Sequence, residues 1–383
     1  MIIGLMSGTS VDGLDIALCR ITGSGTDTTV ELLNFETTSY TDEFKKEVKS
    51  IFSKKQVDLE KLTLLNSWIA LQHAEMIKAA LKKWNVKYED VDVIASHGQT
   101  IYHAPKHLHQ QEKFANATLQ IGDGDHLAVA TGIITISDFR QKNIASGGEG
   151  APLAVYGDLL LFSKSGEDRI LLNIGGIANF TYLPANGQSK DILCTDVGPG
   201  NTLMDAYIQE FSAGMFYDKD AALAKSGTVS EALLASLKDN DFFKQAFPKT
   251  TGPESFNLPY LANAKQKSGT TSLSKEDTMA TLNKFSADMI ALAIISSVKN
   301  IKGIKIFGSG GGIHNPLLMQ HLANQLPGCS FHSTEEDGIN ADAKEAVLFA
   351  LLANESIAGN YSAFAKGSHH IPAVAMGKVS FPS

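Results

Sequence analysis

Short apolar runs in this chain repeatedly end in clusters of Gly, Ser, Thr and Asp. The first sixteen residues set the pattern: an apolar entry from Met1, then Ser7-Gly-Thr-Ser-Val-Asp-Gly13, then an apolar exit through Ile16. Two strands joined by a polar turn are expected, because glycine frees the backbone while Ser, Thr and Asp bond locally to it. Residues 169–174, the Gly175-Gly176 turn and residues 178–183 repeat that grammar in the second half. Other buried runs stop the same way. Residues 91–95 lead into Ser96-His-Gly-Gln-Thr100, 133–136 into Ser137-Asp-Phe-Arg140, 192–195 into Asp196-Val-Gly-Pro-Gly-Asn201, and 304–307 into Gly308-Ser-Gly-Gly-Gly312. Such a chain is constrained to α/β architecture with open sheets, whose strand ends line a ligand crevice.

Apolar spacings near 3.6 predict helices over 42–52, 62–84, 282–298 and 341–353. Asn315 and Pro316 supply an N-cap and a first-turn proline for another. Residues 213–275 read as a loop-rich helical insertion, and the tail as irregular. At 383 residues the chain exceeds one ordinary core. The repeated grammar predicts two architecturally related domains without a sequence repeat: 1–140, rejoined by the tail 358–383, and 141–357. The Gly-rich connector 141–152 is the expected hinge.

Composition removes several function classes. Net charge is −8 with no Lys/Arg block, which disfavours a nucleic-acid surface. The three cysteines, Cys19, Cys194 and Cys329, form no CxxC pair, so a reducing compartment is expected and a disulfide framework is not. No basic segment leads a long apolar one at the N-terminus, and no apolar run nears the ~20 residues of a membrane span. A soluble, cytoplasmic protein with no membrane partner is the expectation.

The Gly-rich turns carry the chemistry as a set. The hairpins at 4–18 and 172–183 are candidates to grip phosphates from two sides, and the 308–312 loop leads into a helix N-terminus. None matches the GxxxxGK[ST] phosphate loop or a dinucleotide fingerprint. Asp12 and Asp15 follow the hydroxyls of Ser7, Thr9 and Ser10, and magnesium needs only one or two carboxylates beside a phosphate. Turn aspartates accepting backbone N–H bonds are the competing reading. Asp196, in a Gly/Pro-rich turn, is a candidate proton acceptor or a turn aspartate. Arg140 suits a carboxylate ligand, with an Asp138–Arg140 structural pair as the alternative. His97, Gln99 and Thr100 offer polar groups, although a satisfied strand-end histidine competes for His97. Glu345 faces either the crevice or solvent.

These residues also carry a resemblance. Gly4-Leu-Met-Ser-Gly-Thr-Ser-Val-Asp-Gly-Leu-Asp15, Ser96-His-Gly-Gln-Thr100, Asp138-Phe-Arg140, Gly147-Gly-Glu-Gly-Ala-Pro152, Asn173-Ile-Gly-Gly-Ile-Ala-Asn179, Asp196-Val-Gly-Pro-Gly-Asn201 and Gly310-Gly-Gly312 resemble, in order, the motifs of the anhydro-N-acetylmuramic acid kinases. The match runs from residue 2 to about residue 350. It implies a two-domain actin/hexokinase-like (ribonuclease H-like) fold with a nucleotide cleft between the domains, ATP with Mg2+, and usually a homodimer. It implies a kinase that opens the ring of 1,6-anhydro-N-acetylmuramic acid with water and phosphorylates O6, giving N-acetylmuramic acid 6-phosphate and ADP in murein recycling. By position, Asp196 matches the catalytic base. Gly8, Thr9, Ser10, Val11, Asp12, Gly13, Leu14 and Asp15 would bind phosphates, with Gly175, Gly176, Asn179, Gly310, Gly311 and Gly312 also on the nucleotide. His97, Gly98, Gln99, Thr100, Asp138 and Arg140 would face the sugar, and Asp12 and Glu345 the metal. Asn143, Glu149 and Val197 depart from the family pattern, where Asp, Gln and Thr are expected. A kinase of the same fold acting on another sugar or small acid, and a non-catalytic nucleotide switch, are the rivals. A serine hydrolase is excluded for want of a GxSxG elbow.

Overall fold

The computed structural model describes residues 1–8, 10–151, 153–186, 191–212, 214–298, 300–333, 342–359 and 374–383. Thr9, Pro152, Ala341 and most of the expected tail therefore lie outside the described residues. These residues form two compact units, 1–162 with the C-terminal part from 342 on, and 163–333.

In the first unit, β1 (Ile2–Ser7), β2 (Gly13–Thr22) and β3 (Thr29–Ser39) form an antiparallel meander. β4 (Val93–Ala104) joins β1 in parallel, β5 (Ala117–Ile121) pairs antiparallel with the far end of β4, and β6 (Thr135–Ser137) continues the parallel side. β1 is apolar at nearly every position because both faces are covered. Helix Leu59–Trp84 contributes Leu65, Ile69, Ile77 and Leu81 to the core, and the side chain of Asp58 caps its first turn. Helix Lys344–Ala358 packs against β1, where a Cβ on Gly4 would stand 1.9 Å from the Ala346 carbonyl oxygen. That glycine is there for the helix to approach.

The second unit repeats the plan. β7 (Arg169–Ile174), β8 (Ile177–Leu183) and β9 (Leu193–Pro199) form the meander, and β10 (Lys305–Ser309) and β11 (Ser330–Ser333) extend it in parallel from β7. Strand order is β3-β2-β1-β4-β6 in one unit and β9-β8-β7-β10-β11 in the other. The two sheets share one order, as the ribonuclease H-like plan implied by the resemblance requires. Helix Lys275–Ser297 has the length and apolarity of a membrane span, yet 83% of its most apolar window is buried in the core of this unit. Short helices between 222 and 267 surround it, and Asn315 caps helix Pro316–Gln325 with its side chain on Leu318 N.

Several expectations need correction. The units divide after Phe162 rather than at 140, and helix Lys344–Ala358 belongs to the first unit rather than the second. The reason is packing: helices Ala154–Phe162 and Lys344–Ala358 lie against each other, and the latter also lies against β1, β2 and β4. The expected hinge begins as a helix, Phe139–Ala145, and Asn143 then ties the loop, its Oδ1 accepting from Gly150 N at 2.9 Å. The tail is not wholly irregular, since β12 (Lys378–Ser380) adds antiparallel to β6. Finally, Ser96–Thr100 and Asp196 sit within strands and not after them. β4 changes partner at Gly98 (φ +72°), where a Cβ would meet the Ile121 carbonyl at 2.7 Å, and so runs on past the motif.

Candidate active site

The turn from β1 to β2 is fastened from several sides. The Asp12 carbonyl accepts from Tyr40 N at 2.9 Å, and the Gly8 carbonyl accepts from Gln99 Nε2 at 3.2 Å. Val11, held at φ +55°, drops its side chain into the core, which leaves Ser10 and Asp12 outward. Ser10 Oγ donates to Asp12 Oδ1 at 2.7 Å and lowers that carboxyl below the usual range. Asp15 accepts from Thr37 Oγ1 at 2.6 Å, but burial, with the charges of Asp12 and Asp342, raises it. Gly13 lies where a Cβ would stand 2.8 Å from the Thr38 carbonyl, and Leu14 is a core residue. Thr9 is outside the described residues.

Arg140 does not pair with Asp138. Its Nε donates to His97 Nε2 at 3.0 Å and its Nη1 to the Gly150 carbonyl at 2.6 Å. Asp138 instead forms an ion pair with Lys378 of β12. His97 is buried, and burial together with the Arg140 charge pushes its pKa down to about 3. The ring is therefore neutral, with its proton on Nδ1, because Nε2 accepts from the guanidinium. That buried Nδ1 has no hydrogen-bond partner among the described residues. Gln120 Oε1 is in the same condition. Both residues line a polar cavity of about 380 Å3 together with Asn66, Ser96, Gly98 and Asp138. Thr100 Oγ1 accepts from Gln120 Nε2 at 3.2 Å. A larger groove of about 750 Å3 runs along Glu75, Lys78, Lys82 and Tyr88, away from every residue singled out by the motifs.

Glu345 reaches solvent, yet the protein packed around it raises its carboxyl, with Asp15 adding to the rise and Arg140 and Lys344 opposing it. Asp12, Asp15, Asp342 and Glu345 thus form a chain of mutually repelling carboxylates on one unit. Among the described residues no three His, Cys, Asp or Glu side chains make a ready metal cage. The donor set suits a hard cation that keeps most of its waters.

In the second unit the β7–β8 turn is fastened by backbone. Gly200 N and Thr202 N donate to the Gly176 carbonyl at 2.8 and 3.1 Å, and Asn201 N donates to the Gly175 carbonyl at 2.9 Å. The Gly310–Gly312 loop lies on this turn. A Cβ on Gly310 (φ +81°) would be 2.7 Å from the Ile174 carbonyl, and one on Gly312 would be 2.2 Å from Ile174 Cγ2. Those two glycines are explained by packing. Gly8, Gly175, Gly176 and Gly311 are not: the nearest atoms to an added Cβ lie at 3.6, 3.5, 3.8 and 3.9 Å, all ordinary contact distances. Bare backbone that the protein itself does not require is what an approaching phosphate or ribose needs.

Asp196 stands opposite Asn179 in the β8–β9 register. Its Oδ2 accepts from Thr251 N at 2.9 Å, and its own N–H donates to the Lys249 carbonyl at 2.9 Å. Burial raises its carboxyl above the usual range, and the Thr251 bond opposes that. Lys249 is itself buried, its Nζ donating to the Phe242 carbonyl at 3.0 Å and lying 4.5 Å from the centre of that ring. Tyr40, Lys249 and Thr251 escape sequence reading because each is a single residue outside any motif.

The family model described as anhydro-N-acetylmuramic acid kinase matches residues 1–381. A protein of that name from Pseudoalteromonas atlantica is 55% identical over 383 residues, covering 100% of this chain and 96% of its own. One from Pseudoalteromonas translucida is 55% identical over 382 residues, covering 100% and 95%. Another from Caldanaerobacter subterraneus is 40% identical over 386 residues, covering 99% and 96%.

Proposed function

The chain belongs to the anhydro-N-acetylmuramic acid kinase family, and on that premise we propose that it opens 1,6-anhydro-N-acetylmuramic acid with water and transfers the γ-phosphoryl group of ATP to O6. The products are N-acetylmuramic acid 6-phosphate and ADP, which assigns the protein to peptidoglycan recycling in the cytoplasm. The observation that carries this reading is the setting of Asp196, a carboxylate oriented by Thr251 N–H with a pKa raised by burial. A carboxyl tuned upward in this way is a better proton acceptor at neutral pH. Asp196 takes a proton from the water that attacks C1. The C1–O6 bond breaks, and O6 accepts the phosphoryl group as it departs. Aligning both events supplies much of the rate.

Arg140 grips the lactyl carboxylate; its two described bonds use two of five N–H donors. His97 Nδ1–H and Gln120 Oε1, both buried without a partner among the described residues, suit polar groups of the sugar. The turn from Gly8 to Asp15, Thr9 included, binds phosphates, and the open backbone at Gly175, Gly176 and Gly311 receives the nucleotide. Asp12, which is ionised, and Glu345 would hold the magnesium ion. Bound there, the ion would neutralise phosphate charge. A homodimer is part of the same proposal, and sedimentation tests it.

Mass spectrometry of the products formed from ATP and the anhydro-sugar in 18O-water is the test. Label at C1 with phosphate on O6 is the expected result. Phosphate on an unopened ring, or label in the phosphate, overturns the reading.

A further inference from the structure

Beneath the first phosphate turn lies a line of buried polar side chains: Ser7 and Gln99 come from the motifs, Gln99 turned inward rather than toward a sugar, and Tyr40 and His73 lie outside them. Ser7, Tyr40, His73 and Gln99 are each no more than 3% exposed. Gln99 Nε2 lies 3.2 Å from both the Gly8 and Thr100 carbonyls, which identifies it as the amide nitrogen and Oε1 as an acceptor. Ser7 Oγ lies 2.5 Å from that Oε1, so the only hydroxyl proton of Ser7 is spent there. Tyr40 Oη, 2.6 Å from Ser7 Oγ, must then donate to it. With its own proton committed, Tyr40 Oη can only accept from His73 Nε2 at 2.9 Å. One direction is left for the whole line: His73 Nε2–H to Tyr40, Tyr40 O–H to Ser7, Ser7 O–H to Gln99, Gln99 N–H to the Gly8 carbonyl.

We propose that this one-directional chain is a positioning device for nucleotide binding, running from His73 in the core to the Gly8 carbonyl and holding the turn in its phosphate-binding form. Tyr40 grips the turn twice, since its backbone N–H also donates to the Asp12 carbonyl at 2.9 Å. Its ring is stacked on Phe44 at 3.8 Å, so the hydroxyl has little freedom to leave the line. Burial pushes His73 down to about 4, which keeps the ring neutral at working pH, with one proton, and the geometry assigns that proton to Nε2. Each bond polarises the next, so a break anywhere weakens the grip on Gly8. The inference rests on the reading that this turn binds phosphates.

The test is ADP binding by calorimetry, with kinetics, on the full chain and on Tyr40→Phe, Ser7→Ala, His73→Gln and His73→Leu. If the wild type binds no ADP, the phosphate reading itself fails. If it does, Tyr40→Phe and Ser7→Ala are expected to weaken ADP and raise KM for ATP about tenfold, leaving KM for the sugar unchanged. His73→Gln, which keeps a donor near Nε2, should restore what His73→Leu loses. Unchanged ADP affinity in Tyr40→Phe, with only Tm lowered, means a purely structural role and overturns the proposal. Nitrogen chemical shifts of histidine-labelled protein supply a second check that needs no variant: His73 should carry its proton on Nε2, and the Nδ1–H form would overturn the assigned direction.

Discussion

The two hairpins that open the two sheets are the same object in topology and different objects in chemistry. Ser7 pairs with Leu14 and Met6 with Asp15; Ile174 pairs with Ala178 and Asn173 with Asn179. Counting inward from each turn, Asp15 of β2 corresponds to Asn179 of β8. Their neighbours on the third strand are Thr37 and Asp196. The carboxylate has changed strands: acid then hydroxyl in the first unit, amide then acid in the second. Residues 8–13 bridge the first pair of strands and only 175–177 the second. Accordingly the longer turn is held from outside the hairpin, by the Gln99 side chain on the Gly8 carbonyl and the Tyr40 N–H on the Asp12 carbonyl, and the shorter one by backbone N–H groups of Gly200, Asn201 and Thr202. One sheet plan therefore supports either a turn carrying an exposed, ionised Asp12 or a single carboxylate raised by burial.

The strongest way to break that comparison is to neutralise both acids. Asp196→Asn is expected to lose about 10^2 to 10^4 in kcat while ADP binding is kept, the range for a missing general base. Asp15→Asn should cost about tenfold or less, chiefly in KM for ATP, because a hydroxyl and not a reacting water is its partner. Equal losses in kcat would erase the division of labour. The pH profile sharpens it further. A base must be ionised to work, and burial raises Asp196, so activity should fall as pH drops through a value above the ordinary ~3.9 of an aspartate. That limb should persist in Asp15→Asn.

A second contrast concerns charge against backbone. Arg140→Ala removes the charged grip of the first unit and strips His97 Nε2 and the Gly150 carbonyl of a donor. Charge-assisted bonds contribute about 1.5–3 kcal/mol each, so KM for the sugar should rise roughly 10- to 100-fold with KM for ATP unmoved. An unchanged sugar KM would remove Arg140 from the sugar.

Glycines give the next, smaller effect, and they also separate what the sequence discloses from what it hides. Gly200→Ala would set a Cβ 2.4 Å from the Gly175 carbonyl and should cost about 1–3 kcal/mol of stability through overpacking. Gly311→Ala has room and should leave Tm alone while raising KM for ATP severalfold. Read as letters, the glycines at 310, 311 and 312 are alike. Their periodic setting, strand then turn then helix, is legible because burial imposes a pattern on apolar residues, and both opening hairpins and the long helices follow from it. What cannot be read is which glycine answers to packing and which to a ligand, since that depends on Ile174, a residue more than a hundred positions away. The same holds for Lys249 and Thr251. They reach Asp196 only because the insertion folds back across β9, and pairing across 55 residues leaves no periodicity behind. The hinge expectation failed for a related reason: Asn143 converts a glycine-rich stretch into a fastened loop, and one side-chain bond is invisible to composition.

Asp138 provides the smallest expected effect. It sits at φ +58°, a conformation that Asn tolerates nearly as well, so Asp138→Asn adds no backbone strain. What the substitution removes is the ion pair with Lys378, whose side chain is 69% exposed, and an exposed pair of this kind contributes about 0–1 kcal/mol. The resemblance puts Asp138 on the sugar, whereas its partner in the fold is the strand that closes the edge of the first sheet. Thermal melting and sugar kinetics on Asp138→Asn, beside Lys378→Met, divide these roles. A fastening role moves Tm slightly and equally in both variants and leaves KM for the sugar within about twofold. A sugar contact raises that KM in Asp138→Asn alone, because the amide keeps the shape and loses the charge that a ligand hydroxyl would donate to. Arg140 is expected to act through direct contact and Asp138 through the strand it pins, so the first outcome is the one the geometry favours.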